Sequence, residues 1–133
     1  MTRQTSTPAQ LAGDEAEAFV AQRLAAAGWT ILARNLRLGR DELDIVAIDP
    51  GPPRWLVVIE VRRRGRRDFG LAEETLDYRK RKALRRAVAA LRDGGQLPDG
   101  TPLPPLPLRV DLVAVDLDAA GGLSVRHHRA IRP

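Results

Sequence analysis

A chain of 133 residues can bury one core but not two independent ones, so a single domain over 1–133 is the expectation. Its residues are 29% charged and 44% apolar, too apolar for wholesale disorder, and no stretch reaches the roughly 20 apolar residues of a membrane span. The net charge is +5 and there is no cysteine, so disulfides, thiolate nucleophiles and Cys-ligated zinc are excluded.

Residues 1–10 are polar and lack the apolar stretch of a secretory signal, which predicts a cytoplasmic protein with no membrane partner and a flexible lead over 1–7. Thr5-Ser6-Thr7-Pro8 offers a hydroxyl cap followed by a proline suited to a first helical turn. The helix that starts there is predicted to run to about Ala27 and stop at Gly28. Ala16, Phe19, Val20, Leu24 and Ala27 recur at helical spacing as its buried stripe, and Glu17 projects from the edge of that stripe.

Strands are predicted over 29–38, 42–49 and 55–63. Asp49-Pro50-Gly51-Pro52-Pro53 breaks the chain between the last two, which makes them an antiparallel hairpin. Leu56-Val57-Val58-Ile59 is a continuous apolar run, the mark of a central strand covered on both faces. Strict alternation puts Glu42, Asp44 and Val46 on one side of the second strand, and Val58, Glu60 and Arg62 on one side of the third. Asp44 and Glu60 can then share a face. Glu42 itself reads as a solvated acid at the strand start.

A second helix is predicted over 71–91, with Leu76, Ala83, Leu84, Ala87, Val88 and Leu91 inward and its bases mostly outward. Residues 94–107, with five prolines and three glycines, read as a surface loop. A fourth strand follows over 108–117, and 118–133 forms a C-terminal extension with an edge strand over 123–129. Adjacent histidines on a strand face opposite ways, so His127 and His128 read as ordinary edge residues, and Phe69 and Tyr78 as packing residues.

The positive charge is local. Residues 62–92 hold twelve bases and four acids, a net of +8, while the rest of the chain carries a net of −3. A concentrated basic surface suits a phosphate backbone, whose binding is driven by release of counterions. Arg63, Arg64, Arg79, Lys80, Lys82 and Arg86 are its candidate contacts.

Two carboxylates meeting on adjacent strands make a site for a hard divalent cation such as Mg²⁺ or Mn²⁺, which takes a few oxygen ligands, keeps several waters and completes its shell with phosphate oxygen. Asp44 and Glu60 are the candidate ligands, and the Val61 carbonyl at the strand edge can add a third. Arg62 lies two residues beyond Glu60 on the same face, about 6 to 7 Å along the strand, where a cation can offset developing charge.

Asp44 with Glu60-Val61-Arg62 resembles the PD-(D/E)xK nuclease motif, and the chain as a whole resembles the YraN family of small bacterial proteins, which are similar to archaeal Holliday-junction resolvases. The resemblance is carried in order by Ala16-Glu17, Gly28-Trp29-Thr30-Ile31-Leu32-Ala33-Arg34-Asn35, Asp41-Glu42-Leu43-Asp44-Ile45-Val46, Val58-Ile59-Glu60-Val61-Arg62-Arg63-Arg64, Phe69-Gly70, Arg79-Lys80-Arg81-Lys82 and Arg109-Val110-Asp111, spanning about 13–116. It implies a restriction-endonuclease-like αβββαβ core in the α/β class, with a mixed central sheet flanked by helices. It also implies roles: Glu17 as a helix carboxylate assisting the metal site, Asp44 and Glu60 as metal ligands, and position 62 as the base position. The implied activity is a Mg²⁺-dependent DNA endonuclease acting on branched DNA, with a homodimer making paired cuts.

Two positions depart from the family pattern. Position 41 is Asp where the family has Gly, and position 62 is Arg where the family has Lys. Arginine stays protonated in proteins, so it cannot act as a general base, although it can grip a phosphate with two hydrogen bonds. Three outcomes are open: water activated without a base, Lys80 or Lys82 reaching in from the helix, or a non-catalytic nucleic-acid- or protein-binding module that keeps the fold.

Overall fold

Proline and glycine punctuation cuts the chain close to where the sequence predicts. The computed structural model describes residues 8–64, 76–117 and 120–133. Along them run α1 (Pro8–Ala26), β1 (Thr30–Leu38), β2 (Asp41–Asp49), β3 (Trp55–Arg64), α2 (Tyr78–Gly94), β4 (Leu108–Leu117) and β5 (Leu123–His128). The expected αβββαβ order is present, extended by an edge strand. The sheet has the order β1-β2-β3-β4-β5 and is mixed: β3 pairs parallel with β4, and the other neighbours pair antiparallel. The parallel pair needs a long crossover, which α2 and the loop after it supply.

The central run behaves as its composition requires. Val57, Val58 and Ile59 are fully buried because both faces of β3 are covered. On one face Ile45, Ala47, Val57, Ile59, Val113 and Val115 pack under Ala16, Val20, Ala21 and Leu24 of α1. On the other, Leu43, Val46, Leu56, Val58 and Val110 pack under Leu84, Ala87, Val88 and Leu91 of α2. The β2–β3 hairpin turns at Gly51, whose φ is +61° and where a Cβ atom would land on the Pro53 carbonyl. Only glycine fits there.

Several expectations need correction. Asp77 is the N-cap of α2 and accepts a hydrogen bond from Lys80 N–H at 2.8 Å, so the helix starts at Tyr78 and Leu76 precedes it. A capping carboxylate satisfies an end N–H and outweighs the apolar spacing that suggested an earlier start. Tyr78 is 72% exposed, because the first turn of α2 overhangs the sheet, and is not a packing residue. Ala27 lies past the end of α1 and is exposed; Ala21 takes its place in the stripe. The hydroxyl cap, the lead over 1–7, Phe69 and the early helix over 71–75 fall outside the described residues.

Alternation along β2 also changes phase. Leu43 and Val46, three residues apart, pack in the same layer, and opposite this step Asn35 of β1 has φ +50°. Glu42 therefore points to solvent while Leu43 turns inward.

On the α1 face a charged network ties three strands together. Arg109 donates to both oxygens of Asp111 (2.8 and 2.9 Å) and to Asp49 (3.0 Å), and its guanidinium lies 5.8 and 5.7 Å from the rings of Trp29 and Trp55. His127 Nε2 lies 2.8 Å from Asp111, and Ala130 N–H donates to it at 3.0 Å. Burial works against the Asp111 charge, but hydrogen bonds from His127, Arg109 and Ala130 outweigh it and hold the carboxyl at about 2. His127 thus belongs to a structural network and is more than an edge residue.

Arg109→Met is expected to lower stability by about 3–5 kcal/mol, since it removes the guanidinium that two buried carboxylates share. Urea unfolding followed by tryptophan fluorescence measures this, and an unchanged midpoint would show the network to be energetically idle.

Candidate metal centre and its basic rim

The site forms where β2 parts from β3. Their register ends at Ile45↔Ile59, whereas β2 continues beside β1 through Asp41. Past that point Val61 N–H has lost its partner on β2, and the Asp44 carboxylate takes over, accepting from it at 2.8 Å. A strand residue directs its N–H and C=O to the same side, so the Val61 carbonyl also faces the gap beside Asp44.

Three predicted carboxylates meet in this gap. Glu17 of α1 and Glu60 of β3 each share a side-chain hydrogen bond with Asp44. Glu60 is only 2% exposed, and one buried oxygen of Glu60 and one of Glu17 have no hydrogen-bond partner. Burial above all, then the neighbouring Asp44, pushes both glutamates up to about 8. For Glu60, Lys80 pulls the other way. Glu17 and Glu60 therefore hold their protons well above the usual carboxylate range.

Among the described residues no three Asp, Glu, His or Cys side chains are placed to hold a metal ion together. The donors are all oxygen: carboxylates from Asp44 and Glu60 and the Val61 carbonyl. Such an incomplete oxygen set fits Mg²⁺ or Mn²⁺, which retain waters and bind substrate oxygens, better than it fits a closed structural site. The partnerless buried oxygen of Glu60 is the atom such an ion would satisfy.

The cations divide into two groups. Lys80 Nζ is 3.2 Å from Glu60 Oε1, and Arg62 Nη1 is 4.0 Å from the same oxygen. Arg86 is committed to Asp41 through two hydrogen bonds of 2.7 Å, pinning the β1–β2 turn to α2. Arg81 donates to the carbonyls of Leu76 and Arg132, and Arg85 to that of Pro133, so both hold the C-terminal segment. Lys80 and Arg86 are therefore not simple surface contacts: each was drawn from the basic run by an acid on the neighbouring sheet. Arg63, Arg79 and Lys82 are exposed, and the Arg64 side chain lies outside the described residues. The sequence did not point to the Arg86–Asp41 clamp, although the unusual Asp41 was its available signal.

The family described as "Uncharacterised protein family UPF0102" matches residues 16–115. Relatives include a UPF0102 protein of Roseiflexus castenholzii, 37% identical over 86% of this chain and 87% of its own. Another, from Moorella thermoacetica, is 40% identical over 80% of this chain and 81% of its own. A third, from Chlorobaculum parvum, is 38% identical over 90% and 84%. Among solved structures, that of Pyrococcus furiosus SfsA in complex with Ca²⁺ is similar at a TM-score of 0.39 and 16% identity, covering 91% of this chain and 63% of that one.

Because Glu17 and Glu60 titrate at about 8 when folded against an ordinary 4.5, the folded protein binds the extra protons between those values. Their contribution to stability is complete below the lower value and is lost as pH rises through the upper one. Urea midpoints measured across this range should fall with rising pH. The slope should shrink in Glu60→Gln and shrink further when Glu17→Gln is added; an unaltered slope would place the titration elsewhere.

Proposed function

We propose, from the premise that this chain belongs to UPF0102, the YraN family with its restriction-endonuclease-like fold, that it binds DNA, branched DNA included, and hydrolyses phosphodiester bonds with Mg²⁺ or Mn²⁺. The observation that carries this reading is Glu60, a carboxylate almost wholly buried beside Asp44 with one oxygen lacking a partner. A core that kept such a group for packing alone would bear a cost with no return.

Asp44, Glu60 and the Val61 carbonyl would hold the ion, and Glu17 would fix the orientation of Asp44. When bound, the ion supplies Lewis acidity to the phosphate and lowers the pKa of water. In hydrolysis a water oxygen forms a bond to phosphorus, the P–O ester bond breaks, the water's proton passes to solvent and the departing oxygen takes one back. Arg62 keeps its proton throughout and binds a phosphate oxygen through its planar fork. Arg63, Arg79 and Lys82, exposed around the site, supply the sequence-independent attraction to the backbone.

One observation favours a second reading. Lys80 and Arg62 already approach Glu60 Oε1, so much of its charge is met within the protein. A non-catalytic nucleic-acid- or protein-binding module would need nothing more.

Calorimetric titration with Mn²⁺ should detect a site that disappears in Asp44→Ala and in Glu60→Ala. Branched and linear DNA incubated with Mn²⁺ should be cut by the native chain and spared by both variants. DNA affinity should fall with salt at a slope of about −0.9 per phosphate contact. Mn²⁺ binding that survives both substitutions would remove the metal reading, and Mn²⁺ binding without cleavage would favour the binding module.

A further inference from the structure

We infer that Lys80 is the lysine of this site, standing in space where the family motif has its lysine at position 62. The inference rests on the nuclease reading of the same cluster. Glu60 lies on the face of the sheet that α2 covers, between the layer of Val58 and the start of the helix. Lys80 sits in the first turn of α2, and its backbone is held by Asp77, which accepts its N–H at 2.8 Å. The helix itself is docked by Leu84, Ala87, Val88 and Leu91, and it is locked laterally by the double Arg86–Asp41 hydrogen bond. The root of the Lys80 side chain is therefore set by two independent anchors. Its ammonium has one strong contact, 3.2 Å to Glu60 Oε1, while Arg62 stands at 4.0 Å.

The side chain remains 38% exposed, and it lines a cavity of about 250 Å³ with Arg40, Asp41, Glu42, Ala83 and Leu84. A phosphate group can reach the exposed part of the ammonium, which its 3.2 Å contact with Glu60 Oε1 holds beside the carboxylates. The chemistry of the two cations then separates. Lysine is a compact point charge that can follow charge as it shifts, whereas arginine is a rigid fork suited to a fixed oxyanion. As the water oxygen bonds to phosphorus and the P–O ester bond breaks, negative charge grows on the non-bridging oxygens. Lys80 donates hydrogen bonds to those oxygens and keeps its proton; Arg62 holds the DNA strand.

Four full-length proteins test this: the native chain, Lys80→Met, Arg62→Met, and Lys80→Met combined with Arg62→Lys. Lys80→Met should lower kcat about a hundredfold, the usual loss when a donor to a developing oxyanion is removed. Arg62→Met should mainly raise KM for DNA. The double variant should regain most of the lost kcat, because it returns a lysine to the strand. Mn²⁺ affinity, read by calorimetry without DNA, should rise severalfold in Lys80→Met, since the ion no longer competes with the ammonium for Glu60. If the native chain cuts DNA and Lys80→Met cuts equally well, Lys80 is not the lysine of the site and the nuclease reading stands. If the native chain binds Mn²⁺ but does not cut, the nuclease reading falls and this inference with it. Unchanged Mn²⁺ affinity, or a double variant as inactive as the single one, also overturns the inference.

Discussion

The hydrogen bond from Val61 N–H to the Asp44 carboxylate, 2.8 Å long, marks the place where the sheet stops pairing with itself. An unpaired backbone N–H in a core costs about as much as a lost hydrogen bond, so the parting of β2 from β3 is stable only with a substitute acceptor. Asp44 provides it, and in doing so is fixed beside Glu60 and under Glu17. The gap, the carboxylate cluster and the free-facing Val61 carbonyl follow from that one exchange of a backbone acceptor for a side-chain acceptor. The phase change at Leu43 and the positive φ of Asn35 are its local geometric cost.

Two sets of buried acids in this protein show opposite solutions to the same problem. Asp111 is fully buried, yet Arg109, His127 and the Ala130 N–H satisfy it and keep it ionised. Glu60 is nearly as buried, but it faces another carboxylate and keeps an oxygen without a partner. The first arrangement fastens β2, β4 and β5 together under Trp29 and Trp55. The second leaves a buried carboxylate oxygen without a hydrogen-bond partner at the edge of a basic rim. That contrast separates a structural cluster from a candidate functional one more sharply than the count of acids in either.

Much of this was legible in the residues. The Leu56–Ile59 run marked the central strand, and the Pro-Gly break marked the hairpin whose last pair, Ile45↔Ile59, leaves Asp44 and Glu60 just beyond it. The edge position of Glu17 on the helical stripe turned it toward the core, and the family resemblance marked it for the same site. The second helix was less legible: the leucine and alanine spacing extends upstream of Asp77, and only the capping bond shows where the helix starts. The exposure of Tyr78 is hidden in the sequence for the same reason, since helical spacing says which residues align but not where the helix ceases to lie over the sheet. The basic run was legible as charge, yet not as a set of partners. Arg81 and Arg85 hold backbone carbonyls about fifty residues away, at separations of 51 and 48.

By itself the sequence determined the element order and the covered central strand, because these depend on backbone periodicity and on turns, which are local properties; the mixed sheet and the place of Glu17 beside Asp44 and Glu60 were implied by the family resemblance. Tertiary structure alone decided which cation reaches Glu60, which base is locked onto Asp41, and how Arg109 is shared between two aspartates. Long flexible side chains can reach many positions, and the one they take is chosen by how a helix docks on a sheet and by which buried acid most needs a partner.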